Sequence, residues 1–376
     1  METKQKEPMP GQQPSPEAGP QKPVEILVIQ EPYAVAFQQQ ERPPLAPGQV
    51  RVRTLYSGIS AGTEMTIYRG SNPYAKKRWN AELKLFVPTT EQPQFYPAPL
   101  GYEEVGCVVE VGPDVTEVAV GDCVYGSWSH RTEVVLPARL AAQNRFSSDQ
   151  DPRHGIFARI GAIALNGILD AQINVGETVA VFGAGVVGLI CMGLARLAGA
   201  RVIAVDIDPV RLRHAERYAD EWLSKDVALT IKGESHGRGA DVVIEAAGSY
   251  DALAEAIRSV AYAGKVISLG FYQSSAGSLF LGEEFHHNRV QIICSQIFTV
   301  NPALSYRWDV PRLERTIMDL QAAGKLDLIP LITQEIPFQE AASAYQLLDK
   351  YPNHAVQVAL TFPEALAETS CGRRTT

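Results

Sequence analysis

The chain is short of the residues from which compact metal and disulfide sites are built. Its five cysteines are scattered, odd in number and never spaced as C-x-x-C. This pattern gives neither a disulfide framework nor a compact cysteine zinc site, and it is typical of a protein of the reducing cytoplasm. The cysteines are Cys107, Cys123, Cys191, Cys294 and Cys371.

No long basic run stands out, and the formal net charge is −8, so we expect no nucleic acid partner. The first 22 residues lack the apolar core of a secretory signal and are rich in proline, glutamine and glutamate, which predicts a disordered tail. An uncharged run of 18 residues separates Glu177 from Arg196, but it is short for a membrane span and contains four glycines. We therefore predict a cytoplasmic protein with no membrane segment.

One stretch, residues 178–206, carries a complete dinucleotide-binding pattern. The apolar run Thr178–Phe182 predicts a buried strand, and Gly183, Gly185 and Gly188 follow it in the spacing G-x-G-x-x-G. These glycines permit a tight turn, a close approach of the backbone to a pyrophosphate, and close packing of helix against strand. The amides at the start of the following helix then face the phosphates.

The second half of this stretch supports the same interpretation. Leu189–Leu197 predicts a helix, and Arg201–Val205 predicts a second strand that ends at Asp206. The carboxylate of Asp206 would bind the ribose hydroxyls and repel a 2′-phosphate, which favours NAD over NADP, although Arg211 weakens that preference. A glycine-rich turn in another α/β protein is the alternative, which the full pattern disfavours. The predicted cofactor-binding residues here are Gly183, Gly185, Val186, Val187, Gly188 and Asp206.

The order of the remaining segments predicts two domains of different class. Short β-type runs at 24–30, 49–60, 105–112, 122–126 and 132–136 predict an irregular β barrel or sandwich. A helical run at 158–172 leads into the dinucleotide unit, and further apolar strands lie at 240–249, 264–272 and 289–297. This alternation predicts a doubly wound parallel sheet. Helical patterns at 311–326 and 338–349 follow, and a last strand at 355–362 is expected to return to the first domain.

We therefore divide the chain into five segments. A disordered tail covers 1–22, the first part of a β-rich domain 23–155, the NAD-binding domain 156–298, the return segment 299–362 and a second loose tail 363–376. An unusually long stretch within 68–100 contains proline, aromatic and lysine residues and is too long for a simple hairpin loop. It is either a lid or binding loop or a flexible insertion.

These segments, in this order, resemble the medium-chain dehydrogenase/reductase superfamily over about residues 24–362. The motifs that carry the resemblance are GISAGTE (58–64), GYEEVGCVVEVG (101–112), VGDCVYG (120–126), VFGAGVVG (181–188) and IAVD (203–206). The resemblance implies a GroES-like catalytic domain split around an inserted Rossmann domain, with the active site in the cleft between them. It also implies that Gly248, Gly270 and Phe271 contact the cofactor, and that a homodimer forms through the strand 289–297.

The differences from the zinc-dependent members of that superfamily are informative. Ala61 stands where those members have a cysteine ligand, and Tyr102 stands where they have a histidine. The third ligand would fall near residues 158–161, which read ARIG, so Glu103 alone remains of the usual ligand types. We predict that no metal is bound. The pattern is similar to the zinc-lacking branch that includes bacteriochlorophyllide a dehydrogenase, whose relatives resemble enzymes that oxidise secondary alcohols with NAD.

Without a metal, a side chain must remove the proton of the substrate hydroxyl. By resemblance, Thr63 occupies a proton-relay position, whereas Tyr102 and the carboxylates replace or surround the metal position. Each has a structural alternative: Tyr102 fills volume, Glu103 forms an ion pair, and His130 is a solvated loop residue. The predicted catalytic residues are Thr63, Tyr102, Glu103, His130 and Glu64, and the predicted pocket residues are Trp128 and Ala61.

Three functions remain open at this point. The first is a zinc-independent, NAD-dependent dehydrogenase that oxidises the secondary alcohol of a sugar, cyclitol or other polyol, or that runs in reverse. The second is a reductase of a conjugated C=C bond or a quinone, which Asp206 disfavours because such relatives prefer NADPH. The third is an NAD(H)-binding sensor or scaffold without catalysis.

Overall fold

The computed structural model of the chain describes residues 22–88, 95–273 and 275–368. The predicted fold class is confirmed: a doubly wound α/β domain is joined to a β-rich, GroES-like domain. The predicted tail 1–22 falls almost wholly outside the described residues. Within them, no helix is both long and apolar enough to cross a membrane.

The strands of the described residues follow one another through both domains. In chain order they are β1 (Val24–Glu31), β2 (Ala34–Gln40), β3 (Gln49–Ile59), β4 (Lys77–Asn80), β5 (Leu85–Pro88), β6 (Ala98–Pro99), β7 (Glu104–Val111), β8 (Cys123–Gly126), β9 (Glu133–Pro137), β10 (Arg145–Phe146), β11 (Thr178–Phe182), β12 (Arg201–Val205), β13 (Glu221–Leu223), β14 (Ala240–Glu245), β15 (Val260–Ser268), β16 (Gln291–Cys294), β17 (Ile332–Pro337) and β18 (Gln357–Thr361).

The helices lie mainly in the second half of the chain. In chain order they are α1 (Glu64–Tyr68), α2 (Ala138–Gln143), α3 (Phe157–Ala171), α4 (Val186–Leu197), α5 (Pro209–Ala215), α6 (Val227–Glu234), α7 (Tyr250–Ser259), α8 (Glu284–His287), α9 (Val310–Ala322), α10 (Ala341–Lys350) and α11 (Pro363–Glu368). Short 3₁₀ turns stand at Pro73–Lys76, Pro152–Ile156, Pro302–Leu304, Ile329–Leu331, Phe338–Glu340 and Pro352–His354.

A six-stranded parallel sheet forms the dinucleotide domain. Its strand order is β13-β12-β11-β14-β15-β16, and every neighbouring pair is parallel. The strands are apolar and largely buried because α3 and α4 cover one face, whereas α6 and α7 cover the other. The order reverses between β11 and β14, which is where sheets of this type bind their ligand.

The β-rich domain is built around the eleven-residue strand β3. This strand pairs antiparallel with β7, β9 and β18. Because β18 comes after the whole parallel sheet in the chain, its pairing with β3 closes the first domain, as predicted for 355–362. The helix α10 packs with β1 and β3 in a second apolar core.

Four features differ from the sequence-based prediction. The strands β2 and β17 were not predicted, since β2 is mostly polar and exposed and β17 has only partly buried residues. The insertion within 68–100 contains a small hairpin, β4–β5. The expected loose tail begins instead with α11, where Ala365 packs into the second apolar core; the rest of that tail, from 369, lies outside the described residues.

Candidate active site

The glycine turn at 183–188 forms an open cradle at the point where the strand order reverses. Gly183 has φ = +100°, and a Cβ on Gly188 would lie 1.8 Å from the carbonyl oxygen of Gly183, so no other residue fits there. Gly185 precedes the first turn of α4, whose opening residues are Val186 and Val187. The first amides of a helix have no partner within it, so they are available to phosphate oxygens.

Asp206 holds this turn in place. Its Oδ2 accepts a hydrogen bond from Ala184 N (2.7 Å), and its Oδ1 accepts one from Asp208 N (2.8 Å). Arg211 lies beside the same opening, with Nη1 3.9 Å from the position of a Cβ on Gly185, and its Nη2 donates to Pro352 O (2.8 Å). A carboxylate and a guanidinium thus flank the place expected for the adenosine ribose.

Glu245, which the sequence reasoning missed, organises the other side of the cradle. The carboxylate at this strand end is buried: Oε1 accepts from the amides of Ala247 (3.0 Å) and Gly248 (2.9 Å), and Oε2 accepts from the phenol of Tyr272 (2.5 Å). Burial raises the pKa of Glu245 even though these donors oppose the shift. An acidic residue that ends an otherwise apolar strand, VVIE, was the signal available in the sequence.

Glu245 also brings together, through its backbone, the three cofactor residues that the sequence predicts beyond the glycine turn. The backbone oxygen of Glu245 accepts from the amides of Leu269 (2.9 Å) and Gly270 (3.1 Å). A Cβ on Gly270 would lie 2.4 Å from Gly248 Cα, and one on Gly248 would lie 3.1 Å from Phe271 N. The two loops therefore touch, and Glu245 fixes both.

Across the cleft, the turn after β3 presents Ala61 and Thr63 to solvent. Gln273 of the cofactor domain donates to Gly62 O in this turn (3.4 Å), so the turn faces the loop that contains Phe271. Tyr102 lies beside it, with a short hydrogen bond between its phenol and Ser60 Oγ. Burial raises the pKa of Tyr102, so the phenol keeps its proton at any ordinary pH.

Glu103 is buried directly behind Tyr102. Its Oε2 accepts from Gln357 Nε2 (3.0 Å), whereas its Oε1 has no hydrogen-bond partner among the described residues. The side chain fits because residue 58 is a glycine, on which a Cβ would lie 2.5 Å from Glu103 Oε2. Burial, together with Glu64 and Glu104, raises the pKa of Glu103 well above its usual range. The ion pair with an arginine that the sequence suggested for Glu103 is absent among the described residues. The partner of Glu103 is instead the side-chain amide of Gln357.

His130 was predicted to be a catalytic residue, with a solvated loop residue as the alternative, and the structure places it in the interior, away from solvent. It is completely buried, with Nδ1 2.6 Å from Ser57 Oγ and Nε2 2.9 Å from Glu64 Oε2. The hydroxyl of Ser57 donates its one proton to Glu104 Oε1 (3.0 Å), so Nδ1 donates to Ser57. Because both ring nitrogens then donate, the geometry fits an imidazolium.

The charges around His130 agree with this assignment. Burial alone would lower the pKa of His130, but Glu64 and Glu104 more than offset it and the pKa is raised. Glu64 also accepts from Ser60 N (2.9 Å) and from the phenol of Tyr345 (2.6 Å). Burial raises the pKa of Glu104 to about 7. Glu64 and His130 are therefore positioning residues beneath the cleft, without contact to its surface.

Trp128 also lies away from the cleft surface. Its indole N–H donates to Thr54 Oγ1 (3.0 Å), and the ring packs among valines of the β-rich domain. Together with Tyr125 and Ser127 it lines a cavity of about 200 Å³. The tryptophan thus packs in the core of the β-rich domain and borders this cavity, and its role in a substrate pocket stays a prediction.

The residues at the predicted metal position do not fit a catalytic zinc ion. Ala61 has no ligand atom, the phenol of Tyr102 is engaged by Ser60, and Ala158 lies in the buried face of α3. Within the described residues, no group of three or more histidine, cysteine, aspartate or glutamate side chains is arranged to hold a metal. A catalytic zinc needs three protein ligands of these types.

We expect Glu245 and Tyr272 to hold the loops that flank the cofactor. Glu245→Ala leaves two amides and a phenol without an acceptor, and it should lower the free energy of unfolding by about 3 kcal/mol or more. Tyr272→Phe removes two hydrogen bonds, the one that the phenol donates to Glu245 and the one that it accepts from Ser268 Oγ (3.2 Å). It should cost about 1–2 kcal/mol and should weaken NADH binding. Urea unfolding and NADH titration measure both effects. Tyr262→Phe, which changes an exposed tyrosine of β15, is the control; wild-type NADH binding in Tyr272→Phe would contradict the assignment.

Comparison with known proteins agrees with this architecture. The profile of the alcohol dehydrogenase GroES-like domain matches residues 46–144, and that of the zinc-binding dehydrogenase family matches residues 186–310. D-guloside 3-dehydrogenase of Escherichia coli K12 is 30% identical over 350 residues, which is 89% of this chain and 99% of the relative. Sorbitol dehydrogenase of Halalkalibacterium halodurans is 26% identical over 86% of this chain and 95% of its own.

Among solved structures, 2R,3R-butanediol dehydrogenase of Bacillus subtilis superposes with a TM-score of 0.70 at 21% identity, over 90% of this chain and 99% of its own. This similarity supports the fold, whereas the sequence relatives and the two domain profiles establish the family. The chain belongs to the medium-chain dehydrogenase/reductase superfamily, as an oxidoreductase of the alcohol and polyol dehydrogenase type.

Proposed function

We propose that the protein is a zinc-independent, NAD-dependent dehydrogenase that converts the secondary alcohol of a sugar, cyclitol or other polyol to a ketone, or the reverse. The observation that carries the proposal is Tyr102, which Ser60 holds where the resemblance places a metal ligand, next to Glu103, whose Oε1 has no hydrogen-bond partner among the described residues. Within the superfamily, we assign the chain to the zinc-lacking branch. The names of the relatives, a guloside and a sorbitol dehydrogenase, support the substrate class.

The glycine turn and the two loops fixed by Glu245 fit a nicotinamide dinucleotide. The turn at 183–188 would hold the pyrophosphate, Asp206 and the loop at Gly248 would lie on the side of the adenosine ribose, and Gly270 and Phe271 would hold the nicotinamide end. When bound, this cofactor accepts a hydride from the carbinol carbon or returns it to the ketone. We also propose that two copies of the chain form a homodimer through the edge strand β16, where Ile292 is exposed.

The protein's own residues manage the proton. In the oxidation, the substrate O–H bond breaks as the carbinol carbon loses its hydride, and a base must take the proton. The raised pKa of Tyr102 keeps its phenol protonated, so the phenol cannot be that base. It would instead donate a hydrogen bond to the substrate oxygen. We assign Glu103 as the acceptor, since its Oε1 has no hydrogen-bond partner among the described residues, and the hydroxyls of Thr63 and Ser60 at the cleft turn would carry the proton toward it.

Metal removal is the first test. We expect protein treated with a chelator and protein loaded with zinc to reduce NAD at equal rates across a panel of alcohols, cyclitols and sugars, because the site has no zinc ligand set. Elemental analysis should find far less than one zinc per chain. Activity that disappears on chelation and returns with zinc would overturn the proposal. Tight NADH binding without turnover on any substrate would favour a sensor instead.

A second test addresses the base. Ionised Glu103 is required for oxidation, so kcat/KM for the alcohol should rise with pH through the raised pKa of Glu103, and ketone reduction should fall over the same range. Glu103→Gln should remove this dependence and lower kcat by about 10²–10⁴-fold. Pre-steady-state and steady-state pH profiles in both directions measure it. If Glu103→Gln keeps the wild-type profile, another group is the base.

Glu103 also determines how the free energy of unfolding changes with pH. Because the folded pKa of Glu103 is raised, the stability it contributes is present below its unfolded pKa and is lost as pH rises through the folded value. Glu103→Gln should therefore gain stability relative to wild type at alkaline pH. This unfolding comparison also shows that the variant is folded when its activity is measured.

Cofactor preference gives a third test. Asp206→Asn keeps an oxygen acceptor for the turn but removes the charge that repels a 2′-phosphate, and Arg211 stays beside the site. We expect the ratio of kcat/KM for NAD to that for NADP to fall by about tenfold or more. Asp208→Asn changes the same charge two residues away and should leave the ratio unchanged. An equal ratio in wild type and Asp206→Asn would contradict the role of Asp206.

A further inference from the structure

The insertion predicted as a lid, a binding loop or a flexible segment forms a hairpin that stands apart from both domains. After a 3₁₀ turn at Pro73–Lys76, strands β4 and β5 pair with each other and with no other strand among the described residues. A two-stranded hairpin is marginal by itself and needs a packed face. The contacts of that face therefore indicate what the hairpin does.

One face of the hairpin is aromatic and open. Trp79 and Phe86 are cross-strand partners with ring centroids 5.0 Å apart, and Phe86 stacks on Tyr74 at 4.8 Å with an interplanar angle of 5°. The three side chains are 49%, 43% and 40% exposed respectively. Exposed aromatic groups of this extent mark binding surfaces in soluble proteins.

The aromatic face of the hairpin lies next to the cleft. Tyr74 contacts Phe271, with ring centroids 5.7 Å apart, and Phe271 belongs to the loop assigned to the nicotinamide end. Two residues further on, Gln273 contacts the turn that presents Thr63. A molecule that reacts between Thr63 and this loop would therefore extend onto Tyr74, Phe86 and Trp79.

The charges of the hairpin disfavour a second copy of the chain as the occupant. Lys76, Lys77, Arg78 and Lys84 are opposed within the hairpin by Glu82 alone. A two-fold partner seated on the same face would bring these like charges together. A neutral ligand with an apolar ring carries no such cost.

We propose that Tyr74, Trp79, Phe86 and Phe271 form a subsite for the second ring of a two-ring substrate, so that the protein acts on a glycoside with an apolar or aromatic aglycone in preference to a free polyol. This inference depends on the proposed function, since the polar groups at Thr63 and Tyr102 take the reacting ring. The aromatic face adds affinity by burying the second ring, and it contributes nothing to a substrate that lacks one.

The test compares phenyl and methyl glycosides of D-glucose, D-galactose and D-gulose. For the sugar that is turned over, wild-type kcat/KM should be about tenfold higher for the phenyl than for the methyl glycoside, mainly through KM. Trp79→Ala and Phe86→Ala should remove this preference and leave methyl glycoside turnover within about twofold of wild type. Trp222→Ala is the matched control, because Trp222 on β13 is 50% exposed, and it should keep the preference.

Each of the other possible results supports or contradicts the proposed subsite. Equal rates for the two glycosides in wild type, or a preference that survives both hairpin variants, would overturn the subsite. A change of sedimentation in Trp79→Ala with an unchanged preference would make the face a protein interface. If no glycoside is turned over, calorimetric titration of phenyl and methyl glycosides into NADH-bound protein tests the subsite independently: tighter phenyl binding that Trp79→Ala abolishes supports it, and equal binding contradicts it.

Discussion

The site depends on the burial of three carboxyl groups beside a single imidazole. Glu64, Glu103 and Glu104 are each at most 2% exposed, and His130 lies between two of them. Buried carboxylates without compensation are costly, and one imidazolium compensates only part of this charge. The remainder is balanced by protons and by neutral donors. Burial raises the pKa of Glu103 well above its usual range, and only the amide of Gln357 opposes this shift, because the other carboxylate oxygen has no hydrogen-bond partner among the described residues.

The two sides of the cleft use the same physical device. On the cofactor side, the buried carboxylate of Glu245 fixes two loops through amides and a phenol. On the catalytic side, Glu64 fixes the turn at Ser60 and the phenol of Tyr345. Hydrogen bonds to a charged acceptor in a buried site are strong and directional. The loops assigned to substrate and to cofactor are therefore each held by a buried carboxylate.

Local patterns predicted the dinucleotide unit well. The boundaries of β11 and β12 match the predicted strands at Thr178–Phe182 and Arg201–Val205, because apolar strands flanked by glycine and charge are specified by neighbouring residues. The hairpin β4–β5 and strand β17 escaped prediction, since neither has an alternation of apolar and polar residues. The predicted order of the domains also followed from the sequence, through the resemblance of its motifs.

The site could be predicted only in part, because its residues meet through tertiary contacts. Thr63, Tyr102, Glu103 and Glu64 were predicted, and they do lie together, whereas the burial of His130 depends on Leu100 and Ser57, far away in sequence. Four further members of the cluster carry no local signal. Ser57, Glu104, Tyr345 and Gln357 reach the site through β3, β7, α10 and β18.

In the proposed zinc-independent centre, a proton would take the place of the metal charge, and this would change how the site responds to pH. A bound cation keeps its charge at every pH, so the carboxylates near it remain ionised and the substrate oxygen remains polarised. A proton on Glu103 or His130 exchanges with solvent and is lost as pH rises. A catalytic centre built in this way would therefore couple the stability of the protein and the pH dependence of its activity to the titration of the same group, Glu103.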